Sequence, residues 1–330
     1  MIKAISISEL AALIKEPKKT LVLCHKNPDP DTLGSAFALR HVLRHFGSPV
    51  TVACADETQK KFSFITGGAS LEYTGEDYER YIAVDVASPM QLGDLSYLSE
   101  KIDITIDHHQ MCTRFSKYYE NFRASCAENI YLLANELNIL DELPLNFYEC
   151  LYAGMSADTG GFRFSNVTPD TMSLASLIIA RGIDHAEINR IIFDAKSIEE
   201  IKAQKLTYEK MELYADGALC IIVFTNEMKL SNGISDADIG DIVNSVRSID
   251  GVLVALALKQ NSKDETKYSL SSRANAEIDV SKVCQSLGGG GHVRAAGATI
   301  IAGSASEAKS QVIPLFENAI NEYRSGKKNG

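Results

Sequence analysis

Imidazoles and carboxylates gather in four short segments, each closing an apolar run. His25-Lys26-Asn27-Pro28-Asp29-Pro30-Asp31 sets one imidazole and two carboxylates in a stretch stiffened by two prolines, directly after Thr20-Leu21-Val22-Leu23-Cys24. Asp85 interrupts the apolar run 81–87, Asp107-His108-His109 follows Ile104-Thr105-Ile106, and Asp158 precedes Thr159-Gly160-Gly161. A carboxylate at the end of an apolar strand is costly to bury unless a partner or a cation meets it. Neighbouring residues of an extended chain point to opposite sides, so His108 and His109 can divide two tasks, one ligating and one facing a substrate. The donors His25, Asp29, Asp31, Asp85, His108 and Asp158 include no thiolate. Such a set suits two ions of Mn²⁺, Mg²⁺, Fe²⁺ or Co²⁺ better than structural zinc. Two ions ~3.5–4 Å apart clamp the attacking and leaving oxygens of an in-line phosphoryl displacement.

Taken singly, each segment also has an ordinary role. Asp31 could cap a helix, Asp85 a turn, Asp158 the end of a helix, and the Asp107–His109 stretch could be a solvated loop. The conjunction of all four at element ends is what favours a metal centre. Further along, Gly288-Gly289-Gly290-Gly291-His292 and Arg273 form a second constellation. A glycine run lets backbone N–H groups converge on an anion, Arg273 offers a bidentate fork for phosphate, and His292 adds a donor. A flexible hinge is the competing reading of the glycines. His41 and His45 stand four apart on a helical pattern without the glutamate of a zinc-protease helix, and are set aside. The acidic group Asp236, Asp238 and Asp241 reads as a solvated first helical turn.

These residues must be positioned by an alternating α/β chain. Strands are predicted at 20–24, 50–54, 81–87 and 102–109. Helices are predicted at 31–47, 124–138, 145–157, 169–181 and 185–194, and Ser8 heads a capped amphipathic helix near the N-terminus. Continuous apolar strands alternating with helices predict a parallel sheet with helices on both faces and ligands at its C-terminal edge. The C-terminal third predicts strands at 218–227, 252–260 and 267–274 and helices at 234–249 and 305–324. The expected organisation is a catalytic, metal-binding domain over 1–195, a helical connector over 196–212 and a smaller α/β substrate-binding domain over 213–330. The active site is expected in the cleft between the two domains.

The chain has 330 residues and a net charge of −10, with a pI near 5.3. That acidity does not draw long nucleic acid by its overall field, so a small anionic substrate is favoured over a long duplex. Hydrophobic and charged fractions of 45% and 23% exclude a disordered chain. The seven cysteines include no CxxC pair, which excludes a zinc ribbon and a thioredoxin-type motif and suits a reducing cytoplasm. Residues 1–19 lack a signal-peptide pattern, and no apolar stretch reaches the ~18 residues of a membrane helix.

In order and spacing, His25–Asp31, the Asp85 strand, Asp107–His109 and Ser156-Ala157-Asp158-Thr159-Gly160-Gly161-Phe162 resemble the motifs of the DHH phosphoesterase superfamily. That superfamily includes RecJ-type exonucleases, family II pyrophosphatases and the nanoRNase/pAp phosphatases. Ser272-Arg273, Ile278-Asp279-Val280 and the Gly288–His292 segment with Ala295-Ala296-Gly297 resemble the DHH-associated domain of the nanoRNase group. The resemblance spans nearly the whole chain, read as a standalone two-domain enzyme. It implies that His25, Asp29 and Asp85 hold one ion and that Asp31, Asp85, His108 and Asp158 hold the other, with Asp85 bridging. It further implies that His109 faces the reacting phosphate, that Asp107 fixes the histidines, and that Arg273, His292 and the amides of Gly288, Gly289, Gly290 and Gly291 grip the substrate.

The expected activity is Mn²⁺-dependent hydrolysis of short single-stranded RNA to mononucleotides, with pAp to AMP as a second reaction. A phosphodiesterase of cyclic dinucleotides or of linear pApA and pGpG is the alternative within the class. A nucleotide-binding sensor without catalysis is the alternative outside it; the presence of all six ligands and His109 stands against it. No long duplex and no membrane are expected as partners, and a homodimer is compatible with the sequence.

Overall fold

The structure is a computed structural model and describes residues 2–109, 112–240 and 242–328. Its contacts divide into two units, Met1–Ala195 and Lys196–Gly330.

In the first unit β1 (Lys3–Ala4), β2 (Thr20–Leu23), β3 (Val50–Ala53), β4 (Arg80–Val84), β5 (Ile104–Asp107) and β6 (Lys117–Glu120) form one parallel sheet, in the order β1-β6-β5-β4-β2-β3. Strands β2, β4 and β5 are buried along their whole length. Their unbroken apolar runs are therefore those of parallel strands covered on both faces. The helices of this unit are α1 (Ile7–Lys15), α2 (Pro30–His45), α3 (Ser63–Thr66), α4 (Cys126–Glu136), α5 (Leu145–Asp158), α6 (Pro169–Ile179) and α7 (His185–Asn189).

One face of the sheet packs Val22, Ile82 and Ile106 against α1, α2, α4 and α5. The other packs Leu21, Leu23 and Ala83 against Leu92, Leu95 and Leu98. That second cover is a run of 3₁₀ turns over Pro89–Lys101, interrupted at Gly93, whose φ is 58°. Helix α1 is capped at Ser6, not Ser8, because Glu9 stands three residues beyond Ser6 and completes a capping box with it.

The second unit carries β7 (Glu212–Tyr214), β8 (Leu219–Phe224), β9 (Val254–Gln260), β10 (Lys267–Ala274), β11 (Gly290–His292) and β12 (Ala295–Ile301), ordered β11-β12-β10-β9-β8-β7. Among the described residues, only the β8–β9 pair of this sheet is parallel. Its helices are α8 (Ile198–Lys210), α9 (Asn226–Asn232), α10 (Asp236–Ile239), α11 (Val243–Arg247), α12 (Val280–Ser286) and α13 (Ala305–Lys328). Val280, Cys284, Val312 and Phe316 of α12 and α13 cover one sheet face. Helix α8, expected as a connector, packs Ala203 and Leu206 onto the other, beside Ile239 of α10 and Val243 and Val246 of α11. The single helix expected over 234–249 is two short ones, because Gly240 adopts φ 45°, ψ −131° at the end of α10; Asp241 lies outside the described residues. Among the described residues, no helix is long and apolar enough to cross a membrane.

Candidate metal centre

The parallel sheet reverses its winding at β2 and β4. From β2 the chain crosses to β3 on one side, while β4 lies on the other. The crevice beyond the carboxyl ends of two such strands is where an open α/β sheet takes its ligands. Leu23 registers with Ala83, and Val84 with Ile106. His25, Asp85 and Asp107-His108-His109 therefore leave the sheet side by side.

Asp85 has a left-handed backbone, φ 57°, which aspartate tolerates better than most residues. Its N–H still donates to Ile106 O at 2.9 Å. Thr32 ties α2 to both neighbouring strands: its Oγ1 donates to Val84 O at 3.1 Å and accepts the His25 N–H at 3.3 Å. The cap of α2 is Asp29, whose Oδ1 accepts from the N–H groups of Asp31 and Thr32. Asp31 is released from capping and lies fully buried in the first turn. There it accepts the N–H groups of Cys126 and Ala127, at 2.7 and 3.0 Å, from the positive N-terminus of α4. Asp158 is the last residue of α5.

All six expected ligands converge. Ligand atoms of His25, Asp29 and Asp85 lie within 4.8 Å of one another, as do those of Asp31, His108 and Asp158, and those of Asp85, His108 and His109. His25 Nε2 is 3.6 Å from Asp29 Oδ1 and 3.5 Å from Asp85 Oδ2. His108 Nε2 is 3.3 Å from Asp85 Oδ1, 3.3 Å from Asp158 Oδ2 and 3.8 Å from Asp31 Oδ2. Asp85 thus turns one oxygen to each histidine.

The ring tautomers follow from the other nitrogens. His25 Nδ1 meets Lys26 O at 2.8 Å, and His108 Nδ1 meets Arg123 O at 3.2 Å. A carbonyl only accepts, so both Nδ1 atoms carry hydrogen, and in the neutral rings both Nε2 lone pairs face carboxylates. That is the second contact of a metal-ligating histidine. Asp85 Oδ1 is buried and accepts no hydrogen bond among the described residues. A buried oxygen facing a lone pair calls for a positive charge between them.

The charges agree. Asp29, Asp31, Asp85 and Asp158 bring four carboxylates, which two divalent cations would cancel. Burial, and then the charge of Asp85, pushes the Asp31 carboxyl up to about 7. Burial and the charges of Asp31 and Asp85 raise Asp158 well above the carboxylate range. Burial also works against Asp85, but His108 and His25 beside it hold its carboxyl low. Burial opposes charge on His25 and His108; Asp29 and Asp85 outweigh it at His25, raising it to about 11, and Asp85 and Asp31 outweigh it at His108, raising it to about 10. Without a cation the site collects protons in its place, so this donor set fits divalent metal ions.

His109 differs from His25 and His108. Its Nδ1 donates to a carboxylate, Asp107 Oδ1, at 2.7 Å. Burial disfavours charge on this ring, but Asp107 raises its pKa overall. Asp107 is itself fixed by the His108 N–H on Oδ1 at 2.9 Å and by Asn129 Nδ2 on its carbonyl at 3.1 Å. His41 and His45 lie elsewhere, against Asn146 and Glu142.

Gly154 carries no motif of its own. A Cβ there would stand 2.6 Å from Asp31 Oδ1 and 2.8 Å from Ala127 Cβ. Only glycine lets α5 close on the buried carboxylate.

Residues 19–155 match the family model described as DHH family, N-terminal domain, and residues 219–322 match the DHHA1 domain. The chain pairs a DHH domain with a DHHA1 domain. It is 28% identical to the probable bifunctional oligoribonuclease and PAP phosphatase NrnA of Streptococcus mutans, over 88% of this chain and 92% of that one. It is 26% identical to the cyclic-di-AMP phosphodiesterase GdpP of Bacillus subtilis, over 96% of this chain but only 50% of GdpP. An exopolyphosphatase-related protein from Bacteroides fragilis has the same fold, with a TM-score of 0.87 at 21% identity, covering 98% of this chain and 97% of that one.

In the DHHA1 domain the glycine run divides its work. The N–H groups of Gly288 and Gly289 donate to Gln285 O and Cys284 O, closing α12, so they are not the anion donors expected of them. Gly290, Gly291 and His292 are the edge strand β11. This is a strand, not a hinge, and glycine is required for its close approach: a Cβ on Gly289 would lie 2.1 Å from Gly297 O, and one on Gly291 2.5 Å from Ala295 O. His292 registers with Ala295, and Ala295 with Arg273. Arg273 and His292 therefore share one row and one face of the sheet.

Proposed function

We propose that this chain is a phosphoesterase that hydrolyses short single-stranded oligoribonucleotides to mononucleotides and pAp to AMP, using two divalent cations, manganese foremost. The observation that carries the reading is the Asp85 carboxylate, one oxygen toward His25 and the other toward His108. Similarity to a relative named for oligoribonuclease and PAP phosphatase activity supports the substrate class.

His25, Asp29 and Asp85 would hold one cation, and Asp31, Asp85, His108 and Asp158 the other. When bound, the cations supply the charge that polarises the scissile phosphate and lowers the pKa of the attacking water. His109, held by Asp107, presents Nε2 to the phosphate and gives a proton to the departing oxygen. Arg273, His292 and the Gly290–Gly291 backbone take the substrate's phosphate and set its register. The chemistry belongs to residues 1–195 and the grip to 213–330. The net charge of −10 supports small substrates over long duplexes. Seven cysteines, six of them buried, with no disulfide among the described residues, support a cytoplasmic setting.

Turnover of linear pApA or of a cyclic dinucleotide is the second reading, favoured by the match with GdpP across half of that protein. Parallel assays of pAp, pApA and a 5′-phosphorylated five-residue RNA decide between them. Mononucleotide release from the RNA is the expected result; turnover of pApA alone would move the assignment to dinucleotides.

A further inference from the structure

On one face of the second sheet, helices α8, α10 and α11 cover β8 and β9 through Cys220, Ile222, Phe224, Ala255 and Ala257. The outer strands differ. Along β10, burial alternates, with Tyr268, Leu270, Ser272 and Ala274 buried; Tyr268, Leu270 and Ala274 belong to the core beneath α12 and α13. Ser269, Ser271 and Arg273 accordingly point to the opposite face, where they are partly or fully exposed.

Register builds this open face into rows. Lys259 pairs with Ser269, and Ser269 with Thr299. Two residues on, Ser271 pairs with Gly297, and Gly297 with Gly290. Two further on, Arg273 pairs with Ala295, and Ala295 with His292. Directly paired residues of antiparallel strands stand on the same face. A cationic row thus lies at each end, and the floor between them is only Ser271, Gly297 and Gly290. Four residues of strand separate the rows by about 14 Å. Adjacent phosphates of one strand lie closer together than this.

The Lys259 end is a cavity whose lining includes Lys259, Lys267, Ser269 and Thr299. Its acidic neighbour Asp236 is held by Lys229 Nζ at 2.9 Å, and Lys267 holds Asp264 at 2.9 Å. Lys259 Nζ and the Ser269 and Thr299 hydroxyls have no hydrogen bond or ion pair among the described residues. One uncompensated cation and two unused hydroxyls, side by side on a rigid sheet, are the donors a phosphate takes.

We propose that Lys259, Ser269 and Thr299 form a second phosphate subsite, and that the open face between it and Arg273–His292 is a track for a single-stranded oligoribonucleotide longer than a dinucleotide. The inference rests on the reading of this chain as a hydrolase of short RNA. The track favours longer members of that class, because only they reach both rows.

The test is binding, measured by fluorescence anisotropy on the full-length manganese-loaded protein. The probes are a labelled five-residue RNA with hydrolysis-resistant phosphorothioate links, and pAp as competitor. Lys259→Gln is expected to weaken the RNA about fivefold, the upper range for a solvent-exposed charge pair. The slope of log affinity against log salt should fall by about 0.7, one single-strand phosphate contact. The pAp affinity should stay unchanged, and Lys259→Arg should keep the RNA affinity. Unchanged RNA affinity in Lys259→Gln, an equal loss for pAp, or a wild-type protein that does not bind the RNA would each overturn the subsite. A wild-type protein that binds this probe but releases no mononucleotide from the unmodified five-residue RNA would sink the hydrolase reading instead, leaving the Lys259 comparison to decide the subsite.

Discussion

Asp85 Oδ1 and His108 Nε2 face each other at 3.3 Å. The imidazole Nδ1 already donates to Arg123 O, and the carboxylate oxygen accepts no hydrogen bond among the described residues. Two electron-rich atoms are held together where only a positive charge reconciles them. Since the other Asp85 oxygen turns to His25, this residue joins the two donor groups. Asp85→Asn should therefore lose cations from both groups, with kcat/KM down by about a thousandfold, roughly 4 kcal/mol of charge stabilisation. Metal content by elemental analysis and steady-state kinetics check this; a variant that keeps two tightly held cations would contradict it.

Gly154 gives a prediction whose sign runs against helix propensity. In an exposed helix, Gly→Ala gains up to about 1 kcal/mol. Here the new methyl would collide with Asp31 Oδ1, and such overpacking costs about 1–3 kcal/mol. Gly154→Ala should lower the Tm and weaken cation binding together. A raised Tm with unchanged metal affinity would show that α5 can shift aside.

His109 and Asp107 separate catalysis from ligation. His109→Asn should reduce kcat by about 10²–10⁴-fold, the range for a lost general acid, with metal content unchanged. Asp107→Asn keeps the shape but no longer fixes the charged ring, and should shift the pH–rate profile as well. If His109→Asn instead strips the metal, His109 is a ligand.

Cation binding should release protons. With the His25 and His108 pKa values raised to about 11 and 10, both rings are charged at pH 8 in the cation-free protein, and ligation requires them neutral. Binding should release at least these two protons, with more from Asp158 and, at the acid end, Asp31, whose carboxyls burial raises, and affinity should rise with pH between 6 and 9. Calorimetry in buffers of different ionisation enthalpy measures this. The stability sign is the opposite for the stripped protein: folded pKa values above the unfolded value near 6.5 stabilise fully below that pH, and the contribution is lost as pH rises through about 10 to 11. Metal-free protein should thus lose Tm on going from pH 8 to 10.5, and loaded protein much less. Equal pH profiles for the two forms would refute the coupling.

Strands β2, β4 and β5 were legible because buried parallel strands must be apolar without interruption, and the candidate ligands stand where that rule breaks. The six donors were legible for the same reason: charged groups at the ends of such runs need a cation. The edge strand β1 and its neighbour β6 were not, since Lys3–Ala4 and Lys117–Glu120 are short segments with no continuous apolar run. The division of 234–249 at Gly240 depends on one backbone angle inside an otherwise helical pattern. The carbonyls of Lys26 and Arg123 that set the ring tautomers have no side-chain signature, and the Gly154–Asp31 contact joins residues distant in sequence. The glycine run misled because glycine serves helix closure and close strand approach as readily as anion binding.

The most direct test is to strip the protein of metal, titrate manganese back, and follow mononucleotide release from a 5′-phosphorylated five-residue RNA against bound metal. Activity should be absent at zero equivalents and reach its plateau at about two per chain, as a two-cation displacement requires. Hydrolysis that survives removal of metal, a plateau at one equivalent, or no release at any loading would contradict the account.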